Sequence, residues 1–150
     1  MPTAYISVSD ADNYFATERL HADAWSEATT ADKQKALYEA TRLIDTLRFA
    51  GIKADSSQEL EFPRFDDTVV PDGVQKACCE IALALLDGVD IETEMQLTRA
   101  IANGFTTVRT TYDSGIADVA KVHGIPSQRA WNFLLPYLKP ARDIRLRRTS

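Results

Sequence analysis

The sequence predicts a mainly α protein, a small helical bundle that carries a β-hairpin insertion and ends in an extended C-terminal arm. Three observations point there. Apolar residues recur every three or four positions in several capped segments, the spacing that builds one buried face of a helix. Asn103-Gly104, a favoured two-residue hairpin turn, precedes a stretch from Phe105 to Tyr112 rich in β-branched and aromatic residues. Beyond Pro140 the chain becomes strongly basic, and Ile144 and Leu146 alternate with arginines in the period-two pattern of an extended segment.

Each element has a local reason. Ser9 precedes Asp10 and Asp12, acids that suit the positive end of a helix, so a first helix is expected from Asp10 to about His21 with Ala11, Tyr14, Phe15 and Ala22 inward. Trp25 falls in a short connection as a plug over the core. Thr29 or Thr30 then caps a second helix, in which Leu37, Ala40, Ile44 and Leu47 make an apolar stripe opposite Lys33, Lys35, Glu39, Arg42, Asp45 and Arg48; Gly51 supplies the stop. From Ile52 to Val70 the helical period is lost. Asp55 to Ser57 reads as the flexible part, and Glu61 to Phe65 as an anchored stretch in which Pro63 keeps Phe62 extended.

Pro71 suits the first position of a third helix running to Gly88, with Val74, Ala77, Cys78, Ile81, Ala82 and Leu85 on one side. Leu83 and Leu86 make it apolar around most of its circumference, which suits the middle of a bundle or a subunit interface. The hairpin insertion covers about 96–113. A lone hairpin is marginal in water, so it should lie on the bundle or on a neighbouring subunit, with Asn103, Gly104, Phe105, Val108 and Arg109 as contact residues. A short turn over 117–122 ends at Gly124. Ser127 caps a last helix through Ala130, Trp131, Leu134, Leu135 and Leu138, interrupted by Pro136. The domain division is 1–138 for the bundle and 139–150 for the arm.

Composition narrows the function. The arm holds Lys139, Arg142, Arg145, Arg147 and Arg148 against Asp143, a charge of +4; the chain's net charge of −5 therefore leaves −9 on the rest. A basic arm on an acidic body grips an anionic partner. Two apolar anchors, Ile144 and Leu146, with forked donors from Arg142, Arg145, Arg147 and Arg148, suit a protein groove lined with carboxylates better than bare phosphates. The plain alternative is a solvated terminus.

No apolar run approaches the ~20 residues of a membrane span, so no membrane partner is expected. The N-terminus lacks the basic and apolar regions of a signal peptide, and cytosolic synthesis is the expectation. Cys78 and Cys79 are adjacent on a helix, where side chains diverge by about 100°, so they read as core or interface residues without a disulfide. His21 and His123 stand apart from any ligand spacing, so no metal is expected. Glycine-rich phosphate loops and a Gly-x-Ser-x-Gly turn are missing, so neither a cofactor nor an enzyme is expected. Asp66-Asp67 and Glu92/Glu94 read as solvated acids. The nearest approach to a single-strand-binding row is Lys53, Phe62, Arg64 and Phe65, more simply read as a loop clamped on the core.

The order of these segments resembles the small head-to-tail connector (adaptor) proteins of tailed phages, a family also labelled DnaT-like single-stranded-DNA-binding protein. The resemblance rests on Tyr5 to Phe15, Ala40 to Asp45 with Phe49-Ala50-Gly51, Leu60 to Arg64, Pro71 with Val74, Ala77, Glu80, Ala82 and Leu83, and Leu135 to Leu138. The sequence departs from that pattern between Met95 and Tyr112 and in its Arg-rich arm. The resemblance implies a virion protein of the head–tail junction, made in the host cytoplasm and assembled as a ring, commonly of twelve copies, under the portal protein. It further implies docking of the arm on the portal, a neck, stopper or tail-tube protein on the tail side, and double-stranded DNA passing through the lumen without specific binding. A single-stranded-DNA-binding replication accessory is the alternative.

Overall fold

The computed structural model of the protein describes residues 3–93, 96 and 119–140. Its named helices are α1 (Val8–Glu18), α2 (Asp23–Glu27), α3 (Thr30–Asp45), α4 (Asp72–Leu86), α5 (Val119–Val122) and α6 (Gln128–Leu134), followed by a 3-10 turn over Leu135–Tyr137. The mainly helical class is thus observed. The expected hairpin at 96–113, with Asn103, Gly104, Phe105, Val108 and Arg109, lies outside the described residues except for Gln96, which is helical. The described residues contain no strand that supports the hairpin; their β-pairing is two isolated antiparallel bridges, Phe49 with Leu138 and Lys53 with Arg64.

The helix starts follow their caps. The Ser7 hydroxyl accepts from Asp10 N at 3.1 Å, so α1 begins at Val8 and not at Asp10 as the Ser9 reading had it. Thr29 caps α3 through Asp32 N, and Ser127 caps α6 through Ala130 N. Pro71 stands as the N-cap of α4, one position before the expected one. Trp25 is 2% exposed, as a plug should be, but it rides on the short helix α2, and its indole N–H donates to Asp12. Helix α3 ends at Asp45, before Gly51, while Gly124 closes the turn after α5 at φ 84°. Pro136 converts the end of α6 into the 3-10 turn, the expected interruption.

Helix α4 is the centre of the molecule. It packs on α1, α2, α3 and α6, which bury Val74, Ala77, Cys78, Cys79, Ile81 and Ala82, while Leu83, Leu85 and Leu86 are partly buried against the core. Cys78 and Cys79 are free and buried in this core, where burial pushes both thiols up and leaves them protonated and unreactive. The one carboxylate turned inward from α4, Glu80, is 2% exposed. It accepts from the Tyr14 hydroxyl at 2.7 Å and from Arg19 Nε at 2.8 Å, with Arg129 Nε at 4.0 Å. The Tyr14 and Arg19 donors offset the desolvation of the charge and tie α1 and the residue after it to the central helix, with Arg129 of α6 only at longer range.

Replacing Glu80 with alanine removes that shared acceptor and leaves Arg19 and Tyr14 facing an apolar wall. The expected loss is about 3 kcal/mol of unfolding free energy, read as a lower urea midpoint with an unchanged slope.

Candidate interaction surface

The connection between α3 and α4 carries the most unusual surface of the described residues. A long stretch without regular structure must still satisfy its backbone polar groups where it is buried. Phe49 and Phe62 anchor it to the core at 6% and 4% exposure. The Phe62 ring meets Tyr5, Phe49 and Tyr137 edge-on, at centroid distances of 5.9, 4.6 and 5.8 Å. The Phe62–Pro63 peptide bond is cis. The Asp55–Ser57 stretch, expected to be the flexible part, forms a closed turn: the Asp55 carboxylate accepts from both the backbone N–H and the hydroxyl of Ser57. Gln58 ties that turn down by donating to the carbonyls of Leu60 and Pro63.

Arg64 solves the remaining backbone problem. It is 8% exposed, and its guanidinium donates to the carbonyls of Ala50 at 2.9 Å, Gly51 at 2.6 Å and Glu61 at 3.2 Å, and to the Glu61 carboxylate at 2.7 Å. A planar fork with five donors can serve several carbonyls from one position, which an ammonium cannot. Beside it, Phe65 N donates to Ile52 O and Ala54 N to Pro63 O, one rung of antiparallel pairing.

The next residue, Phe65, is turned outward. Its φ of 58° is left-handed, an uncommon state for a bulky side chain, and its ring is 60% exposed. A Cβ on Gly51 would stand 2.3 Å from that ring, so only glycine lets the ring lie over the backbone there. Ile52, across the rung, is 75% exposed, and Val69 is 71% exposed. Glu59, Asp66 and Asp67 are exposed in the same connection.

Two further groups hold the loop to the body. The Tyr5 hydroxyl accepts from Phe62 N at 3.3 Å and donates to the Asp45 carboxylate at the end of α3. Burial, first of all, pushes the Asp45 carboxyl above its ordinary value, and it pushes the Tyr5 hydroxyl up as well. The second tie is to the chain's end: Ala50 N donates to Tyr137 O and Lys139 N to Arg48 O, which places the root of the arm beside this loop.

This arrangement decides the row Lys53, Phe62, Arg64 and Phe65. Phe62 is core and Arg64 is a backbone clamp, so the loop-clamp reading holds for these two and neither is available to a nucleic acid, whereas Phe65 is exposed and departs from it. The acids Asp66, Asp67 and Glu92 are exposed, as solvated acids should be, while Glu94 lies outside the described residues. The arm residues Arg142, Ile144, Arg145, Leu146, Arg147 and Arg148 also lie outside them. Sequence reasoning missed the exposure of Phe65 and the Glu80 cluster. The available signal for the second was a carboxylate within the apolar run of α4; nothing local marked the first.

A family model described as "Putative DnaT-like ssDNA binding protein" matches residues 3–148, and the chain belongs to that family. No curated protein and no solved structure matches it.

Two outcomes test this geometry. Arg64→Lys removes the fork and leaves carbonyls of residues 49–51 without donors, at a cost of about 2 kcal/mol; hydrogen exchange at the amides of Ala54 and Phe65 should accelerate while that of α4 changes less. For Asp45, a carboxyl raised in the fold contributes stability that is present in acid and lost as pH rises through its folded value. Asp45→Asn keeps an acceptor for Tyr5 and removes that loss. Its melting temperature relative to the parent should therefore climb as pH rises from the ordinary carboxylate value of about 4 toward neutrality.

Proposed function

We propose that this member of the family is an assembly subunit, a head-to-tail connector (adaptor) of a tailed phage, and that its surface is built to bind proteins. The observation that carries this reading is the placement of its cations and aromatics. Arg19, Lys33, Arg64, Lys76 and Arg129 each face a carboxylate of their own chain. Tyr5, Tyr14, Phe15, Trp25, Phe49, Phe62 and Trp131 are buried. A single-strand groove needs the reverse, cations along a track and a row of open rings for bases to stack on. What this body turns outward is an apolar knob on a rigid loop, the form of an anchor residue at a protein interface.

In this reading the subunits form a ring, commonly of twelve copies in the proteins the sequence resembles, under the portal protein. A neck, stopper or tail-tube protein lies on the other side, and the net-negative body limits capture of the double-stranded DNA that passes through. Arg142, Arg145, Arg147 and Arg148 reach acidic patches of the portal while Ile144 and Leu146 supply apolar anchors. Removal of residues 141–150 should abolish attachment to portal-containing heads and leave the melting temperature of the body within a few degrees of the parent. Normal attachment by the truncated protein, seen by electron microscopy of heads with and without it, would refute the role.

The family's description favours a second reading, a single-stranded-DNA-binding replication accessory. It requires salt-dependent binding of an oligonucleotide, lost when the arm arginines are neutralised. Arg64 is not a fair target in that experiment, because its loss unfastens the loop.

A further inference from the structure

We infer that the Phe65 knob and its acidic surround are the docking surface for the basic arm, residues 141–150, of a second copy of this chain. A bulky residue held at φ 58° with its ring 60% exposed is a conformation that the fold pins in place, here through the Arg64 clamp and the bare backbone of Gly51. Ile52, joined to Phe65 across the rung, adds exposed apolar surface, and Val69 is a further exposed apolar residue of the same connection. Asp55, Glu59, Asp66 and Asp67 are exposed in the same connection. Its three cations are Arg48, Lys53 and Arg64, and the last is buried against the Glu61 carboxylate and the backbone carbonyls of Phe49, Ala50, Gly51 and Glu61.

The arm is the complement of that surface within the same sequence, with Ile144 and Leu146 as apolar residues between Arg142, Arg145, Arg147 and Arg148. Geometry favours another copy's arm over the chain's own. Leu138 pairs antiparallel with Phe49, so at Lys139 the chain is heading back toward the end of α3 and away from Gly51 and Ile52. An arm that leaves one copy and lands on the loop of the next makes a head-to-tail contact, which closes into a ring when the rotation permits. This inference rests on the assembly reading, but its test involves only this protein. The arginines it uses are those proposed to reach the portal, so portal and neighbour compete for the arm.

The test places a photoreactive benzophenone side chain at position 65 of the full chain, in an equal mixture of 15N-labelled and unlabelled protein. Cross-links from position 65 into residues 141–150, with mixed-isotope pairs, are expected. Same-isotope pairs alone, links only to the helical body, or no links would overturn the inference. Sedimentation supplies the second arm. Phe65→Asn, which tolerates a left-handed backbone, should keep the melting temperature and weaken self-association by about tenfold, the scale of one interface anchor. Reversing Asp66 and Asp67 to arginine should weaken it similarly, and adding Arg147→Asp with Arg148→Asp should restore it; failure of that restoration counts against the contact. On removal of the arm, loss of portal attachment with self-association intact sinks only this inference, and loss of self-association with portal attachment intact sinks only the portal role.

Discussion

The connection from α3 to α4 crosses the bundle surface without a sheet or helix to satisfy its backbone, and the Arg64 guanidinium meets that constraint. A buried carbonyl without a donor costs on the order of 1–3 kcal/mol, and this one side chain serves Ala50, Gly51 and Glu61 together. Once it is inside, the alternation of the chain does the rest. Phe62, two residues before, drops into the aromatic cluster with Tyr5, Phe49 and Tyr137, and Phe65, one residue after, is left facing water. The same carbonyl-rich segment, 48–50, pairs with 137–139, so the position where the arm leaves the body depends on the clamp as well.

Beneath the loop, the body is organised around α4 by a different balance. Helices α1, α3 and α6 cover it with apolar contact, and Glu80 contributes orientation more than net stability. Its donors come from Tyr14 on α1, from Arg19 just after α1 and, at longer range, from Arg129 on α6. Packed hydrophobic residues in place of the whole cluster would cost little, whereas removing Glu80 alone strands its donors. An acid there instead ties α1 to the central helix and draws Arg19 inward. Lys76 does the same on the outside by bridging Glu18 of α1 and Asp72 of α4.

Much of this was legible in the sequence, for identifiable reasons. The stripe Leu37, Ala40 and Ile44 and the caps Thr29 and Ser127 carry their own signals, spacing and side-chain oxygen, and those elements appear where expected. The start of α1 was misplaced because Ser7 and Ser9 both precede acids, and only the hydrogen bond to Asp10 N selects Ser7. Helix α2 has five residues, too few to display a period, so Trp25 reads as loop. The loop was harder. An arginine in a polar stretch normally projects into solvent, and nothing local announces that its guanidinium turns inward to carbonyls contributed some fifteen residues earlier. Because the inward turn of Arg64 was hidden, the outward turn of Phe65 was hidden with it.

The charge distribution then separates the candidate partners on physical grounds. In the body, five cations face internal carboxylates, while among the described residues Lys35, Arg42 and Arg48 are exposed without such a pair; the net charge of −9 still makes the field of the body as a whole negative. Within a Debye length, about 8 Å at physiological salt, a phosphate backbone approaching that surface meets like charge. The densest run of cations is the arm, whose length when fully extended is on the order of 35 Å, enough to act beyond the body's screened field. A polycation suffices for phosphates, and apolar residues between the arginines add nothing to counterion release. Ile144 and Leu146 gain from burial against a protein surface that offers both carboxylates and open hydrocarbon. The Phe65 loop is such a surface on this chain, and a connector would require a second one on its portal.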